Sequence, residues 1–224
     1  SNKIMAKKMD RIRPMNKLNG IVILFLSLLF GSCHNKMAMQ KSIDNGTLPK
    51  PVLIDKKATR ETVALFKNLM QLSKEHTLFG HQHATEYGHG WSGEPNRSDV
   101  KSVTGSYPAV IGVDISGFSG RPADAIEKAK IDVRKTVVDT YNRGGVITVA
   151  WHFNNPVSPG GFYWVDTLSK PGVQYIIPGG AAHDQYKEIL KSIGNWANNT
   201  RGSDGKLVPM IFRPFHEFDG GWFW

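Results

Sequence analysis

From residue 52 onward the chain alternates two hydrophobic patterns. Apolar residues at helical spacing (Leu65, Phe66, Leu69, Met70, Leu72) follow Thr59, a residue suited to an N-cap. Leu78-Phe79-Gly80 then reads as a short buried strand ending at His81. Ser98 opens a short helix around residues 100–103. Pro108 to Ile115 is a continuous apolar run, the pattern of a strand covered on both faces. Ala123 to Asn142 predicts a helix, stopped by Gly144-Gly145. Val146 to Ala150 predicts the next buried strand, ending in Trp151-His152. A helix over Ala181 to Asn198 follows. Val208 to Phe212 is a fourth buried run, leading into Arg213-Pro214-Phe215-His216-Glu217.

Apolar strands alternating with amphipathic helices imply parallel strands joined by helical crossovers. That leaves a doubly wound open sheet or a barrel. No glycine-rich phosphate loop follows the first strand, which counts against a dinucleotide-binding sheet. Instead a polar or aromatic cluster stands just past each strand: His81-Gln82-His83, Asp114, Trp151-His152 and His216-Glu217. Functional groups at successive strand ends are the habit of the (β/α)8 TIM barrel. The expected fold class is therefore α/β, a TIM barrel of which about the first four β/α units are present. A complete barrel takes about 250 residues, and about 190 follow the leader. The expectation is a chain that stops midway through its barrel.

The first 33 residues read differently. Lys17 precedes an apolar run from Ile21 to Phe30, then Gly31, Ser32 and the only cysteine, Cys33. The run is too short to span a bilayer, which needs about 20 apolar residues, and has the proportions of a signal-peptide core. Small residues before a lone cysteine resemble a bacterial lipobox, although Phe30 stands where an aliphatic residue is usual. An ordinary secretory signal with an incidental cysteine is the alternative. Residues Ser1 to Pro14 precede the start expected at Met15. Residues 34–51 are uneven and polar, closed by Pro49 and Pro51, as a tether would be. The expected organisation is leader to 33, tether 34–51 and barrel segment 52–224, lipid-anchored in the cell envelope. After Cys33 no acidic run follows, which favours a periplasm-facing anchor.

The net charge of +9 at first points to nucleic acid, but residues past 33 carry only +4 and no basic cluster interleaved with aromatics. A nucleic-acid partner is not expected. With one cysteine there is no internal disulfide to form.

The densest chemistry lies in F-R-P-F-H-E-F-D-G-G-W-F-W, Phe212 to Trp224. Glycosidic cleavage needs one carboxylic acid to protonate the leaving oxygen and a second carboxylate as nucleophile or base. Glu217 among Phe215, Phe218 and Trp222 suits the acid, because burial beside aromatic rings raises a carboxyl pKa. The bland alternative is a structural Glu217–Arg213 ion pair. Five of the six tryptophans (Trp91, Trp151, Trp164, Trp222 and Trp224) fall just past predicted strands, with Trp196 in a helix. Such rings either stack on sugar C–H faces or roof the core. His152, Asn154 and Asn155 are polar partners for hydroxyls. Asp114 orients His152 or substrate, or else caps its loop. His81 and His83 match a metal pair of the amidohydrolase kind, but the later strands lack the lysine such sites use, which favours a hydrogen-bonding or structural role.

These segments, with F-G-H-Q-H-A-T (Phe79 to Thr85), G-V-D (Gly112 to Asp114) and A-W-H-F-N-N-P (Ala150 to Pro156), resemble glycoside hydrolase family 26. The resemblance runs from about Leu78 to the end. It implies a retaining endo-β-1,4-mannanase without a cofactor or required metal, acting on mannan, galactomannan or glucomannan, here with a Bacteroides-type lipoprotein leader. It also implies Glu217 as acid/base, His216 as neighbour of substrate and nucleophile, and Trp222 as a stacking platform. His152 falls at the non-reducing-side subsites, with Trp164 a looser match. Trp151, Arg213, Asp114 and His81 complete the sugar-binding candidates. The family nucleophile is a glutamate near the end of a seventh strand, and none of these residues matches it, so the 224 residues alone are expected to be inactive. A noncatalytic mannan-binding fragment and a metal-dependent amidohydrolase remain the competing readings.

Overall fold

The computed structural model describes residues 53–157, 161–164 and 172–223. The leader, Cys33, the tether and Trp224 lie outside the described residues.

Helix α1 (Arg60–Leu72) starts where the sequence places it: the Thr59 hydroxyl accepts the N–H of Thr62 at 3.2 Å, a cap worth about 1 kcal/mol. Strand β1 (Gly80–Gln82) is followed by a small hairpin, β2 (Tyr87–Gly88) and β3 (Trp91–Ser92), then α2 (Asp99–Thr104). Next come β4 (Val110–Asp114), a single 3₁₀ turn at Ser116–Phe118, α3 (Ala123–Asn142) and β5 (Val146–Trp151). A short α4 (Val173–Ile176), α5 (His183–Asn198) and β6 (Ile211–Pro214) complete the described chain. Among the described residues no helix is long and apolar enough to cross a membrane.

The main sheet is four-stranded, all parallel, in the order β1-β4-β5-β6. Strand order follows chain order without reversal. A doubly wound sheet reverses direction at a switch point, so the observed order is the barrel's. It also puts every strand's C-terminal end on one continuous rim.

The core lies between this sheet and the crossover helices. Val113 and Ile115 from the β4 segment, Ile147, Val149 and Trp151 from β5, Val137 from α3, and Ile193 and Trp196 from α5 are its centre. The Trp196 indole N–H donates to the Lys130 carbonyl at 3.0 Å, tying α5 to α3.

Two strands differ from expectation. β1 begins at Gly80 rather than Leu78, and Phe79 is 62 % exposed. Among the described residues β1 pairs only with β4, so it has one covered side rather than two. β6 begins at Ile211, not Val208. Pro209 has no N–H to give to a ladder, so pairing starts beyond it and the buried Val208 packs as coil. The hairpin and α4 were not foreseen, because two- and four-residue elements carry no readable periodicity.

Candidate active site

The rim of strand ends borders a cleft of about 590 Å³, lined by His83, Asp114, His152, Arg213, His216 and Glu217, with Gln82, Ser116 and Phe162. β4 delivers Asp114, and both of its oxygens are engaged. Oδ1 accepts the Ser116 N–H at 2.7 Å, and Oδ2 lies 2.6 Å from Nδ1 of His152 at the end of β5. The aspartate is thus loop anchor and orienter of His152 at once. With Nδ1 turned to Asp114, Nε2 is the other nitrogen of that ring.

Aromatic rings hold His152 in place: Phe162 at 4.5 Å, His216 edge-on at 4.2 Å and Trp222 at 5.5 Å between centroids. Burial, followed by the neighbouring His152, lowers the pKa of His216 below the usual histidine value, so this imidazole is neutral near pH 7. Its Nδ1 is buried without a hydrogen-bond partner among the described residues. Donor atoms of Asp114, His152 and His216 lie within 4.8 Å of one another, the one such trio among the described residues. By donor type the trio suits a divalent cation; with Asp114 already bonded to His152, it equally forms a prearranged polar wall.

β6 carries Arg213 to the cleft and enters a turn in which Phe215 and Glu217 both take left-handed conformations, φ 55° and 58°. Each costs a non-glycine residue about 1–3 kcal/mol and survives only where its surroundings over-determine it. Here the Phe218 N–H donates to the Phe215 carbonyl at 3.3 Å and the Gly220 N–H to the Glu217 carbonyl at 2.9 Å. Gly220 is required, because a Cβ there would stand 2.5 Å from the Trp222 indole nitrogen. The turn aims Glu217 at the cleft, and no ion pair joins it to Arg213 or another cation among the described residues. The structural Glu217–Arg213 pair is absent.

Other expectations need correction. The aromatic enclosure of Glu217 is not closed: Glu217 is exposed and Phe218 is 70 % exposed, while Phe215 and Trp222 pack toward the core. Trp151 is no sugar platform; it is 1 % exposed and packs on Phe153 and Tyr186 at 4.5 and 5.9 Å. Strand alternation turns it inward and puts the cleft side on its successor, His152. Trp91 is likewise buried, its indole donating to Asp99 at 2.6 Å. Trp164 is partly buried against the core, and its backbone N–H donates to the Trp222 carbonyl at 2.7 Å.

His81 does not line the cleft; its partner in register is Ile111, and its Nδ1 is buried. His83 does, because a left-handed backbone (φ 55°) re-aims it past the strand end. The two histidines therefore do not converge as a metal pair. Gln82, Ser116 and Phe162 were missed. Gln82 is admitted by Gly112, where a Cβ would collide with its side-chain oxygen at 1.9 Å. That glycine, opposite Gln82 in register, was the available signal; nothing in the sequence singled out Phe162.

Comparison with known proteins adds the following. The model of Glycosyl hydrolase family 26 matches residues 54–224. A mannan endo-1,4-beta-mannosidase of Bifidobacterium adolescentis is 34 % identical over 191 residues, covering 82 % of this chain and 18 % of that protein. A family 26 β-mannanase structure from Bacteroides ovatus superposes with TM-score 0.65 at 36 % identity, covering 75 % of this chain and 48 % of that one. An endo-β-1,4-mannanase structure from Cellulomonas fimi gives TM-score 0.68 at 34 % identity, covering 77 % and 39 %. The solved structures of this kind are (β/α)8 barrels, of which the sheet here is part. The chain spans less than half the length of each of these relatives.

Proposed function

Since the chain belongs to glycosyl hydrolase family 26, we propose that it serves the hydrolysis of internal β-1,4-mannosidic bonds with retention, Glu217 acting as general acid/base. The observation that carries this reading is Glu217 itself. It stands in the cleft at the end of the fourth parallel strand, held there by a strained turn and in no ion pair among the described residues. In the first step its proton passes to the leaving glycosidic oxygen as the second carboxylate attacks the sugar. In the second step Glu217 takes a proton from the incoming water. His152, His216, Arg213 and Asp114 serve the sugar hydroxyls, and Trp222 the C–H face of a ring. Mannan, galactomannan or glucomannan is the substrate class, on the strength of relatives that are mannan endo-1,4-β-mannosidases.

Asp114 is the one other carboxylate lining the cleft among the described residues, and both of its oxygens are occupied. We assign the nucleophile to no residue in this sheet; in this reading it is a glutamate after a seventh strand. The same observation favours a second reading, a mannan-binding protein without turnover. One experiment separates them. The protein is produced from its native locus and supplied with β-mannan, and products are followed by reducing-end assay and NMR. New β-anomeric ends support the enzyme, binding without new ends supports the binding protein, and neither overturns both.

For location, the proposal is a lipid anchor at Cys33 in the cell envelope, facing the periplasm. The support is the run from Ile21 to Phe30 ending in Gly31-Ser32-Cys33.

A further inference from the structure

Three adjacent strands of the parallel sheet each lead into a side chain able to bind a metal. β4 ends at Asp114, β5 is followed at once by His152, and His216 stands two residues past the end of β6. The three strands are neighbours in the order β4-β5-β6 and run the same way, so their ends share one rim. One donor atom from each residue lies within 4.8 Å of the other two. Two imidazoles and a carboxylate suit zinc and its neighbours in the first transition row; magnesium and calcium prefer oxygen alone.

Each of the three groups is oriented by contacts outside the trio or is free to take up an ion. Oδ1 of Asp114 accepts the Ser116 N–H at 2.7 Å, which leaves Oδ2 turned to His152. Phe162 and Trp222 flank the His152 ring at 4.5 and 5.5 Å between centroids. Outer contacts of this kind are typically worth about 10–100-fold in metal affinity. Nδ1 of His216 is buried and has no hydrogen-bond partner among the described residues, so no bond to that nitrogen has to be given up. Two carboxylates, Asp114 and Glu217, and one guanidinium, Arg213, line the cleft, a balance that attracts a cation. His83 lines the same cleft but stays outside the trio. Its Nδ1 is bonded to Glu86, and that bond raises its pKa above the ordinary histidine value.

We propose that Asp114, His152 and His216 form a capture site for a divalent transition-metal cation of the zinc type, and that the occupied site closes the cleft to sugar. The first half stands on the trio alone; the second rests on the β-mannan reading above. No step of the hydrolysis runs through the ion. It takes the place of the proton between Oδ2 of Asp114 and Nδ1 of His152, and that proton leaves to solvent. Around tetrahedral zinc, ligand atoms lie about 3.3 Å apart, so this pair opens only slightly from 2.6 Å. With their donor atoms on the ion, the three side chains no longer meet sugar hydroxyls.

The test titrates Co²⁺ into the protein produced from its native locus and follows visible absorption and the histidine ring signals. Co²⁺ should bind with the intense visible bands of a low-coordinate ion, and Zn²⁺ should displace it. The ring signals of His152 and His216 should broaden before those of His76 and His183, which lie outside the cleft. Asp114→Asn and His216→Gln should each weaken binding at least tenfold, while His83→Asn and Cys33→Ala should bind as wild type. Absence of Co²⁺ binding, or broadening that starts at other histidines, overturns the site whether or not the variants fold. So does wild-type affinity in a folded Asp114→Asn, or a loss confined to Cys33→Ala. β-1,4-Mannopentaose should raise the Co²⁺ concentration needed for half-saturation, and binding of both without mutual effect overturns the closure. If mannopentaose does not bind at all, the mannan reading fails and the closure with it, while the Co²⁺ titration still decides the site.

Discussion

Replacing Glu217 by alanine removes a side chain that the structure shows exposed, unpaired with Arg213 and outside the core. Folding should barely register the loss. Exposed substitutions away from special features stay within about 0.5 kcal/mol, and alanine keeps the same left-handed backbone penalty as glutamate at φ 58°. Turnover should register it strongly. General acid/base assistance is worth about 10²–10⁴-fold, or about 2.7–5.4 kcal/mol of barrier at 1.36 per decade. The assay compares β-mannan with an aryl β-mannoside bearing a good leaving group, using protein produced from its native locus. Mannan turnover should fall by that factor. The activated substrate needs no proton to leave, so its glycosylation step should be spared and a covalent intermediate should accumulate. Azide, which needs no deprotonation, should then restore the rate and yield the β-glycosyl azide. Equal loss on both substrates without azide rescue refutes the acid/base role. A fall in urea midpoint beyond the surface range refutes the structural reasoning behind it.

The remaining predictions concern the core, the histidines and the anchor. Trp151→Ala should destabilise the fold by about 3–5 kcal/mol, read by urea unfolding; a loss of sugar affinity at unchanged stability would return Trp151 to the cleft. His216 titrates below the ordinary histidine range and His83 above it, and histidine NMR titration should show that order. The signs differ in consequence. His216 binds fewer protons when folded, so its contribution is lost as pH falls below the unfolded value of about 6.5. His83 binds more, so its contribution is present below that value and lost as pH rises through its raised one; Glu86→Gln should abolish this second dependence. Cys33→Ala should release the protein from detergent-phase partitioning, whereas a mature N-terminus elsewhere with no acyl mass would dismiss the anchor.

Much of the fold was legible because burial writes itself into periodicity. The helix over Ala123–Asn142 and the strand ending at Asp114 were read within a residue or two, since each has a covered face or two covered faces and clear stop signals. The candidate residues Asp114, His152, His216 and Glu217 were equally readable, because strand ends advertise polar groups after apolar runs. Partnership was legible only as a set of alternatives. Asp114 was offered as orienter of His152, ligand of substrate or loop cap, and β4 and β5 lying side by side brings it to His152 across 38 residues of sequence. Strand alternation sent Trp151 inward and His152 outward, although both are equally prominent as letters. The positive φ of His83, Phe215 and Glu217 decided which side chains reach the cleft, and non-glycine residues give no warning of it. Local sequence thus determined the elements and the kinds of chemistry at their ends. Only the tertiary structure, through pairing order and backbone reversal at those ends, decided which of those groups meet.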